Sequence, residues 1–313
     1  MPRRYRPCGR DAVGDPHLGG RSTLRQPRVD APDVFGRRAE GDDVSDRPPD
    51  DPTVAVPQTP VDDLDVEANV DRFRSRAAAL SPAVDLVVFP EYGLTGFAAD
   101  ERLREAALRR PEAIERLETI AAAADAAVIA GYAEREEGSV YNASAYVPPP
   151  DHTPSEDRAP ATVYRKRHLW DEEAEWVEPG GDRVVVETPA GPTGLLTCYD
   201  LNFVAESAWF AERAVDALVV VGAWPADHAA NWRLLCRARA LDGVRWVVGA
   251  GRTGTAGGNR DAAEAAYAGN SLVARPDGAL AAELDREPTT LTATLDRDTL
   301  ATQRDLVGAV GDS

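Results

Sequence analysis

Asp85-Leu86-Val87-Val88-Phe89-Pro90-Glu91 is the stretch of sequence that decides the fold class of this chain. The apolar run that ends at Phe89 shows no polar alternation, which predicts a strand buried on both faces, as in sheets covered by helices. Pro90 has no backbone N–H to donate, so it ends the strand. Glu91 therefore follows a buried strand directly, at the carboxyl end where α/β folds collect functional groups.

Two further segments carry a reactive side chain to the end of a predicted strand. Thr162–Arg165 leads into Lys166, and Gly194–Cys198 ends on a cysteine. Lys166 is the only lysine in a chain with 35 basic residues. Because arginine serves well in ion pairs but offers no compact amine with an adjustable pKa, the single lysine is a candidate for chemistry. Each residue also has an ordinary interpretation, a solvated charge for Lys166 or Glu91 and an inert buried thiol for Cys198.

A cysteine, a lysine and a glutamate together make a complete set of groups for covalent catalysis. A cysteine nucleophile gains thiolate character beside a cation, and a buried glutamate can take its proton. The tetrahedral intermediate needs a positive group or N–H groups facing its oxyanion, which a lysine can supply. The four histidines show no pairing that suggests a Cys–His dyad: His17, His152, His168 and His228.

The rest of the chain from Thr53 onward mixes helices and strands. Apolar periodicity predicts helices at 66–80, 101–125 with a break at Pro111, 205–214 and 229–241. Short apolar segments predict strands at 54–56, 85–89, 127–132, 140–147, 162–165, 184–187, 194–198, 217–221, 246–250, 270–274 and 291–295. Strands alternate with helices in places and follow one another in others, which predicts sheets inside and helices outside.

The charge balance argues against nucleic acid as a partner. The chain carries a net charge of −18, whereas phosphate binding needs a basic face. A surplus of acid with a single lysine is typical of proteins from a high-salt cytoplasm, where carboxylates keep the surface hydrated and salt screens their repulsion. We therefore expect a halophilic, cytoplasmic protein.

Cysteine usage and hydropathy favour the same compartment. Cys8, Cys198 and Cys236 are odd in number and lack a CxxC spacing, so neither a disulfide framework nor a zinc site is expected. Reduced thiols fit the cytoplasm. No stretch approaches the ~18 apolar residues of a membrane span, and no metal-ligand spacing is present. We expect no metal and no membrane partner.

Residues 1–50 differ from the rest of the chain. They hold 10 arginines against nine acidic residues, with no helical or strand periodicity. This composition indicates a disordered N-terminal extension, or upstream DNA translated from a start codon placed too early. Residues 51–313, with 25 basic and 44 acidic residues, are the predicted folded domain.

The ordered motifs of this domain resemble the nitrilase, or carbon–nitrogen hydrolase, superfamily from Thr53 to about Asp296. The matches are Pro90-Glu91 with Leu94-Thr95-Gly96, Tyr164-Arg165-Lys166-Arg167-His168-Leu169, and Cys198-Tyr199-Asp200-Leu201. Supporting matches include Tyr141-Asn142-Ala143-Ser144 and Pro179-Gly180. The resemblance implies an α/β fold, a four-layer α-β-β-α sandwich of two packed mixed sheets flanked by helices.

The resemblance also implies the catalytic roles. Cys198 is the expected nucleophile and Glu91 the expected base. Lys166 and the backbone N–H of Tyr199 are expected to hold the oxyanion.

A second glutamate of the family helps to orient the lysine and the substrate and to share proton transfer. Glu173 matches it by its distance from Pro179-Gly180. Glu172 and Glu175 are close enough to remain alternatives.

Some positions depart from the family pattern near the implied pocket, and they bear on the substrate more than on the chemistry. Asn202 stands where members often have arginine, Asp242-Gly243 where Glu-Asn is usual, and Gly251-Arg252 where an asparagine is common. The segments 223–226 and 232–235 look most like the omega-amidase-like branch, which hydrolyses terminal amides of small carboxylic acids.

The function that the resemblance implies is hydrolysis of the non-peptide C–N bond of a small linear amide through a cysteine thioester, with release of ammonia. An N-carbamoyl amide hydrolase or a nitrilase is the near alternative, and a catalytically silent binding or scaffold protein is the alternative of another class. The expected partners are the small-molecule amide and further copies of the chain, in a homodimer or higher homo-oligomer. Residues 249–254 fit the G-x-G-x-x-G pattern of dinucleotide sites. Such a site needs a helix to start at the motif, whereas a loop is expected here. We therefore expect no cofactor.

Overall fold

Two six-stranded sheets form the centre of the computed structural model, which describes residues 51–150, 160–255 and 266–308. The first sheet has the order β12-β1-β2-β3-β4-β5, built from β1 (Thr53–Gln58), β2 (Leu86–Val88), β3 (Ala127–Glu136), β4 (Ser139–Val147), β5 (Thr162–Arg165) and β12 (Thr289–Thr294). The second has the order β11-β10-β9-β8-β7-β6, built from β6 (Val185–Thr188), β7 (Gly191–Thr197), β8 (Ala217–Gly222), β9 (Trp246–Gly251), β10 (Leu272–Ala274) and β11 (Leu280–Glu283). Strands β1, β2 and β3 run parallel, as do β7, β8 and β9, and the other neighbours pair antiparallel.

The chain divides into two units, Met1–Asp46 and Arg47–Ser313, and every described residue belongs to the second. The interpretation of residues 1–50 as an extension lies outside the described residues.

The two sheets pack face to face through alternate side chains of their strands. Val54 and Val88 of the first sheet share one buried cluster with Leu195, Val219 and Val248 of the second. The side chains between them point the other way, toward the helices, because successive residues of a strand face opposite sides. Central strands are therefore buried on both faces, which confirms the prediction from the apolar run before Pro90.

Helices cover the outer face of each sheet. On the first sheet lie α1 (Val66–Ala78) and α3 (Arg110–Ala124), and Phe73 of α1 stacks on Phe89 with ring centroids 4.0 Å apart. On the second lie α4 (Val204–Ala211) and α5 (Ala229–Gly243), which bury Phe210 and Trp232. The predicted four-layer α-β-β-α sandwich is confirmed.

The prediction of one helix over 101–125 with a break at Pro111 is wrong in its detail. The segment forms two helices, α2 (Arg102–Ala106) and α3, and the chain is extended at Ala107 between them. Pro111 lies in the first turn of α3, where its missing N–H costs no intrahelical hydrogen bond. The proline therefore begins a helix instead of breaking one.

Two elements near the C-terminal end of the described residues had no counterpart in the prediction. Strand β11 is a short, half-exposed edge strand, and two of its three apolar residues are alanines, which have low strand propensity. Helix α6 (Arg297–Val307) is capped by Asp296, whose side chain accepts from the Thr299 N–H at 2.8 Å. An aspartate three residues before that amide was the sequence signal that could have located α6.

Gly249 to Gly251 belong to β9, and no helix begins between Gly251 and Thr255, where this described range ends. The rest of the expected loop, 256–259, lies outside the described residues. Within the described ranges no helix has both the length and the apolar character needed to cross a bilayer.

Candidate active site

Lys166 lies between two glutamates at the edge where strands of both sheets end. Its Nζ donates to Oε1 of Glu91 at 3.0 Å and to Oε2 of Glu173 at 2.7 Å. The exposed fractions of these three side chains are 2% for Lys166, 3% for Glu91 and 7% for Glu173. Burial of three charges is costly unless they are paired and hydrogen-bonded, so this cluster differs in kind from a surface ion pair.

Glu91 is anchored to both sheets. It lies on the turn after β2, and its Oε1 also accepts from Nδ2 of Asn142 on β4 at 2.7 Å. Its Oε2 accepts from the backbone N–H of Ala223, directly after β8, at 2.6 Å. Gly131 on β3 permits the close approach of this turn, because a Cβ there would lie 2.7 Å from the Cα of Glu91.

Of the three candidates for the second glutamate, Glu173 is the one that contacts Lys166. It is buried on a turn of 3-10 helix, whereas Glu172 and Glu175 are exposed. Its Oε1 accepts from the Tyr92 hydroxyl at 2.8 Å and from Nδ2 of Asn142 at 2.6 Å. Of the three alternatives, only Glu173 therefore occupies the position expected of the second glutamate.

Cys198 lies directly after β7 and begins a turn of 3-10 helix, Cys198–Asn202. Its φ of 47° falls in the left-handed region, which costs a residue with a side chain on the order of 1–3 kcal/mol. The sharp turn leaves the cysteine 8% exposed at the sheet edge. Tyr199 follows directly, and the first N–H groups of a helix have no intrahelical acceptor.

Burial and neighbouring charges set the protonation states of these groups. Burial raises the pKa of the Cys198 thiol well above its usual value, Glu91 raises it further, and Lys166 offsets only part of the rise. Burial lowers the pKa of Lys166, but the charges of Glu91 and Glu173 outweigh burial and raise this pKa well above its usual value. Burial raises the pKa of Glu173, but Lys166, together with the hydrogen bonds from Asn142 and Tyr92, more than compensates, and the net pKa is lowered. Near neutral pH the site therefore holds an ammonium, an ionised Glu173 and a neutral thiol.

Asp200 connects the segment around the lysine to the cysteine turn. Its fully buried carboxylate accepts from the Tyr164 hydroxyl at 2.6 Å and from the backbone N–H groups of Thr197 and His168 at 3.0 Å each. Burial, and then the charge of Asp200, raises the pKa of Tyr164 well above its usual value. Asp200 thereby links the residues on both sides of Lys166 to the turn that carries Cys198.

Sequence reasoning missed three groups that hold the site together. Asn142 lies in a motif that matched the family without an assigned role, and Tyr92 directly follows Glu91, so motif position was the available signal for both. The N–H of Ala223 had no signal, because any residue other than proline offers the same group. In the described part of the chain, His, Cys, Asp and Glu side chains form no group suited to hold a metal ion.

Two of the departures from the family pattern surround the cysteine turn. Asn202 donates to the carbonyl of Tyr199 at 3.2 Å on the exposed side of that turn. Asp242 accepts from Ser207 at 2.7 Å and from Arg239 at 2.9 Å, on the helical layer behind the turn. Because Arg239 also donates to the carbonyl of Leu201 within that turn at 2.9 Å, Asp242 supports the turn through Arg239.

The third departure, Gly251-Arg252, has a packing reason. A Cβ on Gly251 would lie 1.8 Å from the carbonyl oxygen of Gly269, so a larger residue does not fit there. Arg252 is fully buried, donates to Asp63 at 2.7 Å and lies over the Tyr267 ring at 4.3 Å from its centroid.

Comparison with known proteins identifies the class of protein. The family model for carbon-nitrogen hydrolases matches residues 53–305. The chain is 30% identical over 245 residues to an (R)-stereoselective amidase of a Pseudomonas species, across 77% of this chain and 84% of that protein. It is 31% identical over 209 residues to omega-amidase NIT2 of Xenopus tropicalis, across 63% of this chain and 71% of that protein.

A solved structure shows the same fold. XC1258 of Xanthomonas campestris, described as a CN-hydrolase superfamily protein with an arsenic adduct in its active site, is 26% identical with a TM-score of 0.73, covering 84% of this chain and 97% of that one. The chain belongs to the carbon–nitrogen hydrolase family. It is an enzyme of that family, with the family's Glu-Lys-Cys set, and amidases are among its relatives.

Proposed function

We propose that this enzyme hydrolyses the C–N bond of a small linear terminal amide, in the manner of an omega-amidase, and releases ammonia. The observation that carries the proposal is the buried Glu91–Lys166–Glu173 cluster beside the Cys198 thiol. Similarity to proteins named omega-amidase and amidase supports an amide substrate.

In the first proposed step, Glu91 accepts the thiol proton of Cys198 while Sγ attacks the amide carbonyl carbon. A thiol with a raised pKa is not a standing thiolate, so a base must take the proton during the attack. The C–N bond of the tetrahedral intermediate then breaks, and Glu91 returns the proton to the leaving nitrogen. Ammonia departs, and the acyl group remains on Sγ as a thioester.

Water completes the proposed cycle. Glu91 takes a proton from a water molecule whose oxygen attacks the thioester carbonyl carbon. The C–S bond breaks, the product leaves as a carboxylic acid, and Glu91 returns the proton to the sulfur of Cys198. Both halves of the reaction therefore use one base at one position.

Lys166 and the backbone N–H of Tyr199 are the proposed oxyanion donors. An ammonium carries three hydrogens, and Glu91 and Glu173 accept two of them, so a third remains for the developing negative charge. Because the ammonium is already held in place before the reaction starts, little reorganisation of the site is needed to stabilise the oxyanion.

The two glutamates have different proposed roles because their surroundings differ. Glu173 accepts four hydrogen bonds, including those from the Tyr92 hydroxyl and Lys166, and its pKa is lowered. It is therefore suited to remain ionised as the counter-charge of the lysine. Glu91 lies near enough to the thiol to raise its pKa, which suits Glu91 to the transfer of protons.

Ammonia release from a panel of substrates tests the proposed function. The panel contains terminal amides of small dicarboxylic acids, butyramide, N-carbamoyl compounds and aliphatic nitriles, each assayed in molar KCl. The expected result is fastest turnover of the terminal amides. A preference for carbamoyl compounds or nitriles would favour the alternative hydrolase functions, and binding without turnover of any compound would favour a silent binding protein.

The expected self-association and cytoplasmic location stay predictions. Sedimentation of the purified chain in molar KCl measures the first, and fractionation of cells that produce it measures the second.

A further inference from the structure

We infer that Asn142 is a positioning residue of this active site, which sets the spacing and the charge state of the two glutamates. The inference rests on the proposed function for its kinetic consequences, although its geometric basis is independent of the substrate.

A single carboxamide nitrogen joins the two carboxylates. Nδ2 of Asn142 donates to Oε1 of Glu91 at 2.7 Å and to Oε1 of Glu173 at 2.6 Å. These contacts use both hydrogens of the carboxamide. Asn142 is fully buried, so bulk water does not compete for the hydrogens of its carboxamide.

The backbone of Asn142 holds the third charged group. Its carbonyl oxygen accepts from the backbone N–H of Lys166 at 2.7 Å, beyond the end of β5. One residue on β4 thereby contacts Glu91 and Glu173 through its side chain and the lysine through its main chain. A shift of β4 would move all three groups together.

The orientation of this side chain leaves one of its own atoms unsatisfied. Oδ1 of Asn142 is buried and has no hydrogen-bond partner among the described residues, a cost of about 1–3 kcal/mol for such an acceptor. A half-turn of the carboxamide would place Oδ1 against oxygens of Glu91 and Glu173, where it would be repelled. The two carboxylates therefore determine the orientation.

Asn69 shows what a buried asparagine with a purely structural role looks like in the same fold. It is also fully buried, its Nδ2 donates to the carbonyls of Asp62 and Leu94, and its Oδ1 accepts from the Asp62 N–H. Every polar atom of Asn69 has a backbone partner, Oδ1 also accepts from the Arg72 guanidinium at 3.2 Å, and none contacts a carboxylate of the cluster. The contrast indicates that the role of Asn142 is to position the two carboxylates of the site and to favour their charged forms.

Removal of the Asn142 carboxamide should shift the pH dependence of the reaction in one direction. A hydrogen bond donated to an ionised carboxylate favours the charged form, and a like charge nearby disfavours it. Without Asn142 the pKa of Glu173, which this hydrogen bond helps to lower, rises, so the cluster takes up a proton at higher pH and loses the charge arrangement that the reaction needs. The acid limb of the rate profile should therefore move to higher pH.

The test uses Asn142→Asp, which keeps the shape but replaces the donor with a third carboxylate. We expect the acid limb of kcat/KM to move up by about one pH unit or more and kcat to fall at least ~10-fold. Asn142→Ala removes the donor without adding a charge, and we expect a smaller shift in the same direction. It also covers the case in which the aspartate variant does not fold.

A second readout needs no substrate. The rate at which iodoacetamide alkylates Cys198, followed by peptide mass spectrometry across pH, should show the same upward shift in both variants. Asn69→Asp is the matched control, and we expect a lower melting temperature with unchanged profiles.

Profiles that stay in place in both Asn142 variants would overturn the inference, even if kcat falls, because a purely structural loss lowers the rate without moving the limb. If the wild type hydrolyses no amide while the alkylation profile still shifts, the proposed function fails and the inference stands.

Discussion

At Lys166 the shape of the cation matters as much as its charge. The Nζ atom fits between two carboxylates at 3.0 and 2.7 Å in a site with 2% exposure. A guanidinium is larger and planar, and it presents its donors in a fixed fork. A chain that uses arginine for its other 34 basic residues keeps lysine where the fork does not fit.

Lys166→Arg should give a folded but nearly inactive enzyme. The arginine keeps the charge between Glu91 and Glu173 but cannot offer one compact donor to the oxyanion, and loss of such a donor lowers kcat by about 10²–10³. The measurement is kcat with a circular dichroism melt. Arg74→Lys, at an exposed ion pair with Asp71, is the control and should leave both unchanged. Near-normal turnover of Lys166→Arg would refute the proposed role of the lysine.

The two buried cysteines of the described chain should respond differently to alanine. Cys198 lies on a strained turn beside Glu91 and Lys166, whereas Cys236 packs without exposure against Trp232 in the helical layer. We expect Cys198→Ala to abolish ammonia release with little change in melting temperature. Cys236→Ala should keep most of the activity and lose about 1–2 kcal/mol of stability through a small cavity. Inactivation of the enzyme by labelling of Cys236 alone would contradict this assignment.

Among the elements, the end of β5 depends on a close backbone crossing. The N–H of Gly180 donates to the carbonyl of Lys166 at 2.8 Å, and a Cβ on Gly180 would lie 2.2 Å from the carbonyl oxygen of Arg165. The Pro-Gly motif after the second glutamate thus has a packing reason. It lets the returning chain support the strand that carries the lysine.

Neighbouring glycines provide a matched test of this support. Gly180→Ala must displace the end of β5, so we expect a loss of about 1–3 kcal/mol in unfolding free energy and a lower kcat as Lys166 moves. A Cβ on Gly181 meets no atom within 4 Å, and Gly181→Ala should change stability by no more than ~0.5 kcal/mol. Urea unfolding and kcat measure both. Equal behaviour of the two variants would remove the packing argument.

For the whole molecule, charge repulsion competes with ion pairing. Residues 51–313 carry 44 acidic and 25 basic residues. Many arginines pair with carboxylates, as Arg116 does with Glu67, but surface pairs contribute only about 0–1 kcal/mol each. Salt weakens these pairs and also weakens repulsion among the excess acids, and at 1 M the Debye length is only about 3 Å.

The melting temperature should therefore rise with KCl from dilute buffer to molar concentrations, because the unbalanced acids outnumber what the pairs can offset. Thermal unfolding at a series of KCl concentrations measures this. A flat or falling curve would show that the acidic surplus is not an adaptation to salt.

Removal of residues 1–50 should leave activity and melting temperature unchanged. The first described residues already pair within the domain, since Arg297 donates its backbone N–H to Asp51 at 3.0 Å and Leu295 donates its own to Pro52 at 2.8 Å. A segment without a periodic apolar face gains little from ordering, which costs ~1–2 kcal/mol per residue in backbone entropy. A chain that starts at Asp51 is compared with the full chain by kcat and thermal melting. A large loss in either would show that the segment packs on the core.

The sequence by itself determined the doubly buried strands and the positions of Glu91, Lys166 and Cys198. These features are local, since an apolar run, a proline stop and a motif are each contained in a few consecutive residues. The same locality explains the error at Pro111, because a proline that ends one helix and a proline that begins the next give the same local signal.

Only the tertiary structure decided how the charges are shared. Glu172, Glu173 and Glu175 are alike in sequence, and burial beside the lysine distinguishes one of them. The side chain of Asn142 on β4 and the N–H of Ala223 after β8 both reach Glu91, although they lie far from it in the chain. Hydrogen bonds and desolvation act over a few ångströms of space regardless of sequence separation. The protonation states of the site are therefore set only when the two sheets pack together.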